Sequence, residues 1–77
     1  MRIYEYIAED INDYNNILGG RKLAIIIKNP NVCYQRKDGI RIINPNDKDD
    51  FVLYIITFVE YFPLTDIFVL SIKEYKE

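Results

Sequence analysis

The side chains of this chain best suited to chemistry are cations. Between Gly19 and Asn44 stand Arg21, Lys22, Lys28, Arg36, Lys37 and Arg41 against a single acid, Asp38, a local charge of +5 in a chain whose total is −2. The first eighteen residues carry −3 and residues 45 to 77 carry −4. An anionic partner responds to the local field rather than to the sum. The segment therefore reads as a candidate site for a phosphate or carboxylate, held by the Arg36 and Arg41 guanidinium forks beside the Tyr34 ring. A basic ribbon with an aromatic can also track a nucleic-acid backbone and stack one base. Against this, strong nucleic-acid binders of this size are usually basic overall. Glu5, Glu9 or Asp13 could also neutralise the same arginines from within the chain.

Most other chemistry is excluded. The chain has no histidine, one cysteine and one serine, which removes Ser–His–Asp and Cys–His nucleophiles and zinc sites built on His and Cys. Gly19-Gly20 lacks the spacing of a phosphate-binding loop. Asp49 and Asp50 could hold a magnesium ion, but adjacent acids after a loop more often start a helix or turn. The expectation is a protein without catalytic residues, metal or cofactor.

Cys33 has no internal partner, so nothing points to a stapled secreted scaffold. A reducing, cytoplasmic setting is expected, with Cys33 behaving as a small buried hydrophobe on a strand. Residues 1–18 are acidic and unlike a signal peptide. The apolar stretch from Phe51 to Ile72 contains Glu60, Pro63 and Asp66. Each of those acids would cost roughly 2.5–3.5 kcal/mol in a spanning helix, so no membrane segment is expected.

The elements that must position these residues follow from pattern. Fourteen isoleucines and seven tyrosines against two alanines favour pleated, half-buried surfaces. Ile3, Ile7, Ile11, Tyr14 and Leu18 recur at helical spacing, which predicts an amphipathic helix over 3–18, ended by Gly19-Gly20. Residues 22–44 predict a β-meander: a strand over 22–28, a turn at Asn29-Pro30-Asn31, a strand over 32–37, an Asp38-Gly39 hairpin turn and a strand over 40–44. In that register Arg36 faces Arg41, a like-charge pair that costs a few tenths to about 1 kcal/mol unless compensated. Residues 51–75 read as a second hairpin around Pro63-Leu64-Thr65-Asp66, in preference to a helix–strand pair. The fold expected is α+β in one domain spanning residues 1–77, an N-terminal helix on an antiparallel sheet of four or five strands.

The C-terminal part is too apolar for such a layer. Strict alternation puts Leu53, Ile55, Val59, Tyr61, Phe68, Leu70 and Ile72 on one face. The other then holds Val52, Tyr54, Ile56, Phe58, Phe62, Ile67, Val69 and Tyr75. One helix covers one face only, and the other exposes a patch larger than monomers usually tolerate. A partner surface is implied, with self-association as a two-fold dimer the simplest form. Tyr54, Ile56, Phe58, Phe62, Val69 and Tyr75 are the expected interface. The functional expectation is a non-enzymatic, self-associating protein-interaction module that binds, and inhibits or regulates, another macromolecule. Phage and mobile-element proteins include chains of this kind. The alternative is a nucleic-acid-binding module using Arg21, Lys22, Lys28, Tyr34, Arg36, Lys37 and Arg41.

Overall fold

Ile3-Tyr4-Glu5-Tyr6-Ile7 alternates large residues with period two, and in the computed structural model, which describes residues 1–76, it is a strand. This strand, β1 (Ile3–Ile7), is followed by α1 (Ile11–Leu18), β2 (Ala24–Lys28), β3 (Gly39–Asn44), β4 (Asp47–Phe62) and β5 (Ile67–Glu74). The five strands form one mixed sheet in the order β1-β3-β4-β5-β2. β1 runs parallel to β3, and every other neighbouring pair is antiparallel. The α+β class and the five strands stand, and two details are corrected: the helix follows a strand, and the sheet is not wholly antiparallel.

The helix expected over 3–18 is thus confined to 11–18. A spacing of four is compatible with both periods, so Ile3 and Ile7 share a face in a strand as well as in a helix. Asp10 ends the extended segment and caps α1, its side chain accepting from the Asp13 N–H at 2.8 Å. The stop at Gly19-Gly20 is present: the Gly19 N–H returns to the Asn15 carbonyl at 2.9 Å, and Gly20 takes φ +75°, open to glycine at no steric cost.

The predicted strand over 32–37 is absent, and residues 29–38 connect β2 to β3 without regular structure. Asp38-Gly39 makes no hairpin turn. The Asp38 carboxylate instead accepts from the Tyr4 hydroxyl at 3.0 Å and from the Arg2 N–H at 3.3 Å. Gly39 lies where a Cβ would come within 3.2 Å of Leu53 Cδ1 and 3.4 Å of Ile3 Cγ1. Both residues serve the parallel β1–β3 pairing, a contact remote in sequence. Pro45-Asn46 makes the tight connection between β3 and β4, where Asn44 pairs with Asp47. The second hairpin forms, with β4 and β5 joined through 63–66.

The core lies on one side of the sheet. Tyr4 and Tyr6 of β1, Ile40 and Ile42 of β3, Val52, Tyr54 and Ile56 of β4, Phe68, Leu70 and Ile72 of β5, and Ile25 and Ile27 of β2 meet Ala8, Tyr14, Ile17 and Tyr34 there. Ile25, Ile40, Ile42, Ile56 and Leu70 are fully buried. Tyr14 and Tyr54 place their rings in this layer and donate to the Asp50 and Ile17 carbonyls. Beneath α1, buried Asp13 accepts from the Tyr6 hydroxyl and the Glu9 N–H, each at 3.1 Å, and pairs with Lys22. Burial pushes the Asp13 carboxyl up. The Lys22 ammonium, the Glu9 N–H and the Tyr6 hydroxyl more than reverse this and hold it below the ordinary carboxylate range.

Candidate interaction face

A β-bulge decides which side chains of β4 look away from the helix. Up to Ile56 the even-numbered residues face the core. Pairing then jumps from Ile56↔Ile72 to Phe58↔Ser71, leaving Thr57 as the extra residue. The Thr57 hydroxyl donates to the Ser71 carbonyl at 3.2 Å. Beyond it the parity is reversed: Val59 and Tyr61 turn to the helix side, Phe58, Glu60 and Phe62 to the open side. Strict alternation through 51–62 therefore mixes the two faces, and the faces expected from sequence are corrected on this ground.

The open face follows from the register. Ile3, Glu5 and Ile7 of β1 lie beside Gly39, Arg41 and Ile43 of β3. Phe51, Leu53, Ile55, Phe58, Glu60 and Phe62 of β4 form the middle. Ile67, Val69, Ser71 and Lys73 of β5 and Ala24, Ile26 and Lys28 of β2 complete it. Phe58 and Ile26 are 50% and 52% exposed, and Ile3, Ile7, Phe51 and Phe62 are exposed as well. None of these belongs to the buried cluster on the helix side. Its charges are close to balance. Arg41 lies 3.9 Å from Glu5 and 5.4 Å from the Phe51 ring centroid, while Glu60, Lys73 and Lys28 are distributed over the other half.

Of the expected interface residues, Phe58, Phe62 and Val69 stand on this face, and exposed Tyr75 extends it from the end of β5 by alternation. Tyr54 and Ile56 do not. They are 6% and 0% exposed in the core, because they precede the bulge. Phe51, Leu53, Ile55 and Ile26 belong to the face and were missed, the first three for the same reason.

The basic ribbon is not assembled. Arg21 Nε donates to Asn16 Oδ1 at 3.0 Å at the end of α1. Lys22 is paired with Asp13. Tyr34 packs on the helix side, its ring centroid 4.8 Å from Tyr4 and 5.3 Å from Phe68. Arg36 and Lys37 lie in the 29–38 connection, and Lys37 donates its N–H to the Ile56 carbonyl. Arg41 has Glu5 and Leu53 as register partners, not Arg36. Lys28 ends β2 on the open side. The like-charge pair expected from the Asp-Gly turn does not exist, and internal acids engage two of the cations.

Cys33 is exposed rather than buried. It borders a hollow of about 390 Å³ between residues 30–33 and the tip of the β4–β5 hairpin, where Tyr61 donates to the Asp66 carboxylate at 2.9 Å. Among the described residues no three His, Cys, Asp or Glu side chains gather as a metal site, and no helix is long and apolar enough to cross a membrane. Asp50 is engaged by the Asn44 amide at 3.1 Å, and the Asp47 carboxylate accepts the Asp49 N–H in a local turn.

No protein-family model matches the chain, and no curated protein is similar enough to it to count as a relative.

Proposed function

We propose that the chain is a small non-enzymatic protein-interaction module that self-associates through its open sheet face, and that its task is to bind, and thereby inhibit or regulate, another macromolecule. One observation carries this reading. The sheet has its buried cluster on one side, while the other side presents Phe51, Leu53, Ile55, Phe58, Phe62, Val69 and Ile26 exposed or half-buried, with Ile43 the one buried strand side chain there among the described residues. Contiguous apolar surface of this kind marks contact surfaces in monomeric folds. Aromatic residues, enriched at interface centres, occupy the middle strand. The nucleic-acid alternative draws on cations that are spread over the end of α1, the 29–38 connection and the open face, and it gains no support from this arrangement.

Sedimentation across a concentration series tests the proposal. The wild-type chain is expected to self-associate at micromolar concentration. The double variant Phe58→Lys with Val69→Lys is expected to stay folded and monomeric, because both side chains point away from the core. A wild-type chain that remains a monomer at millimolar concentration would refute self-association.

A further inference from the structure

We infer that the occupant of the open face is a second copy of this chain, stacked sheet on sheet as a two-fold β-sandwich with both α1 helices on the outside. The inference rests on the interaction reading above and adds the geometry of the pairing.

Area comes first. Five strands at about 4.8 Å spacing span about 24 Å, and strands of these lengths at about 3.3 Å per residue average a similar figure along the chain. The flat footprint is on the order of 600 Å², before the relief of the side chains is added. A standard stable interface takes about 800 Å² from each partner. The flat face reaches the lower end of that class, about 600 Å² per partner, and a short peptide would leave most of it open.

Charge selects the partner. Arg41, Lys73 and Lys28 stand against Glu5 and Glu60, with Arg41 and Glu5 already within 3.9 Å of each other. A nucleic acid, a membrane surface or a strongly acidic peptide calls for a face of one sign. A nearly neutral apolar face that carries both signs does not repel its own copy, and under a two-fold operator each patch meets itself or its complement. Phe58, opposite Ser71 on the middle strand pair, sits near the centre of such a contact.

Pairing of two sheets edge to edge is the competing geometry. The β2 edge offers five residues, and it would leave the Phe51, Leu53 and Phe58 surface uncovered. Leu23 pairs with Ile72 and Asn29 with Asp66 through backbone hydrogen bonds. By alternation the Ile26 and Lys28 N–H groups point outward from that edge, which makes them reporters of edge pairing.

Hydrogen exchange and spin-label distances on the full chain discriminate these arrangements. In the sandwich the Ile26 and Lys28 amides exchange close to the rate of an unstructured chain. A label at exposed Asn12, introduced as Asn12→Cys with Cys33→Ser, lies more than about 30 Å from its copy, since two helix–sheet spacings and one sheet–sheet spacing of roughly 10 Å each separate the helices. Protected Ile26 and Lys28 amides would mean edge pairing, and an Asn12 distance under about 20 Å would mean contact through the helix side. Either result overturns the sandwich and leaves self-association standing. No intermolecular distance at any concentration, together with a monomeric mass, removes both.

Discussion

Replacing Asp13 by Asn tests the polar tie that fixes the helix to the sheet. Asp13 is 9% exposed, accepts from the Tyr6 hydroxyl and the Glu9 N–H, and pairs with Lys22, which is itself 36% exposed. The Tyr6 hydroxyl and the Glu9 N–H both bond Oδ2, and Lys22 bonds Oδ1. An asparagine with its carbonyl at the Oδ2 position therefore keeps both neutral donors but turns its amide toward the ammonium. The two bonds fall from charge-assisted to neutral strength, about 1 kcal/mol each. The ion pair is lost as well, but Lys22 can turn to water, so the cost stays below the 3–5 kcal/mol typical of a broken, fully buried pair. The expected destabilisation is about 2 kcal/mol at pH 7, or roughly a 10 °C fall in Tm for a domain of this size. The pH dependence has a definite sign. The folded carboxyl lies below its ordinary value, so its contribution is complete above the unfolded value near 4 and is lost as pH falls through the lower folded value. Urea denaturation of wild type and Asp13→Asn between pH 7 and 3 should show a constant gap down to about pH 5 that narrows below about pH 4. Equal stability at pH 7, or a gap that widens in acid, would refute the role given to this cluster.

Three further outcomes follow from the packing. Ile56→Ala, at a fully buried position, should cost about 2–5 kcal/mol, and Phe58→Ala on the open face of the isolated chain well under that; chemical denaturation at low micromolar concentration separates them, and equal costs would contradict the face assignment. Deleting Thr57 should leave a regular ladder, because Phe58 then follows Ile56 opposite Ser71 and residues 58–62 keep their faces and register; the variant should stay folded at a cost of about 1 kcal/mol for the lost Thr57–Ser71 hydrogen bond, as read by circular dichroism on heating, and failure to fold would contradict the bulge assignment. Asp10→Ala should cost about 1 kcal/mol through the lost N-cap, measured by the same denaturation, and a neutral result would mean that the cap bond does not stabilise α1.

Sequence pattern revealed the apolar excess but not how the chain divides it between faces. Lys22 to Lys28 and Ile40 to Asn44 lie close to β2 and β3, because short β-branched runs between turn signals have few other uses. The β4–β5 hairpin was readable from Pro63 to Asp66 and the strand formers around it. Ile3 and Ile7 misled because a spacing of four belongs to both periods, and the Tyr4, Tyr6, Ala8 alternation that decides the matter is short. Asp38-Gly39 misled because a hairpin turn is a local preference. Here the Asp38 carboxylate is engaged by Tyr4 and Arg2, from a strand more than thirty residues earlier. The face of Tyr54 and Ile56 was lost to one bulged residue, Thr57, which leaves no mark on an uninterrupted apolar run.

Methyl NMR spectra recorded from about 20 μM to about 1 mM test the open face most directly, since this range spans the affinities of ordinary self-association. Concentration-dependent shifts are expected at Ile26, Leu53, Ile55 and Val69, with none at Ile17, Ile40 or Ile42 beneath the helix. Unchanged spectra throughout the range, or shifts confined to residues around α1, would contradict the assignment of the open sheet face as the surface through which this protein associates.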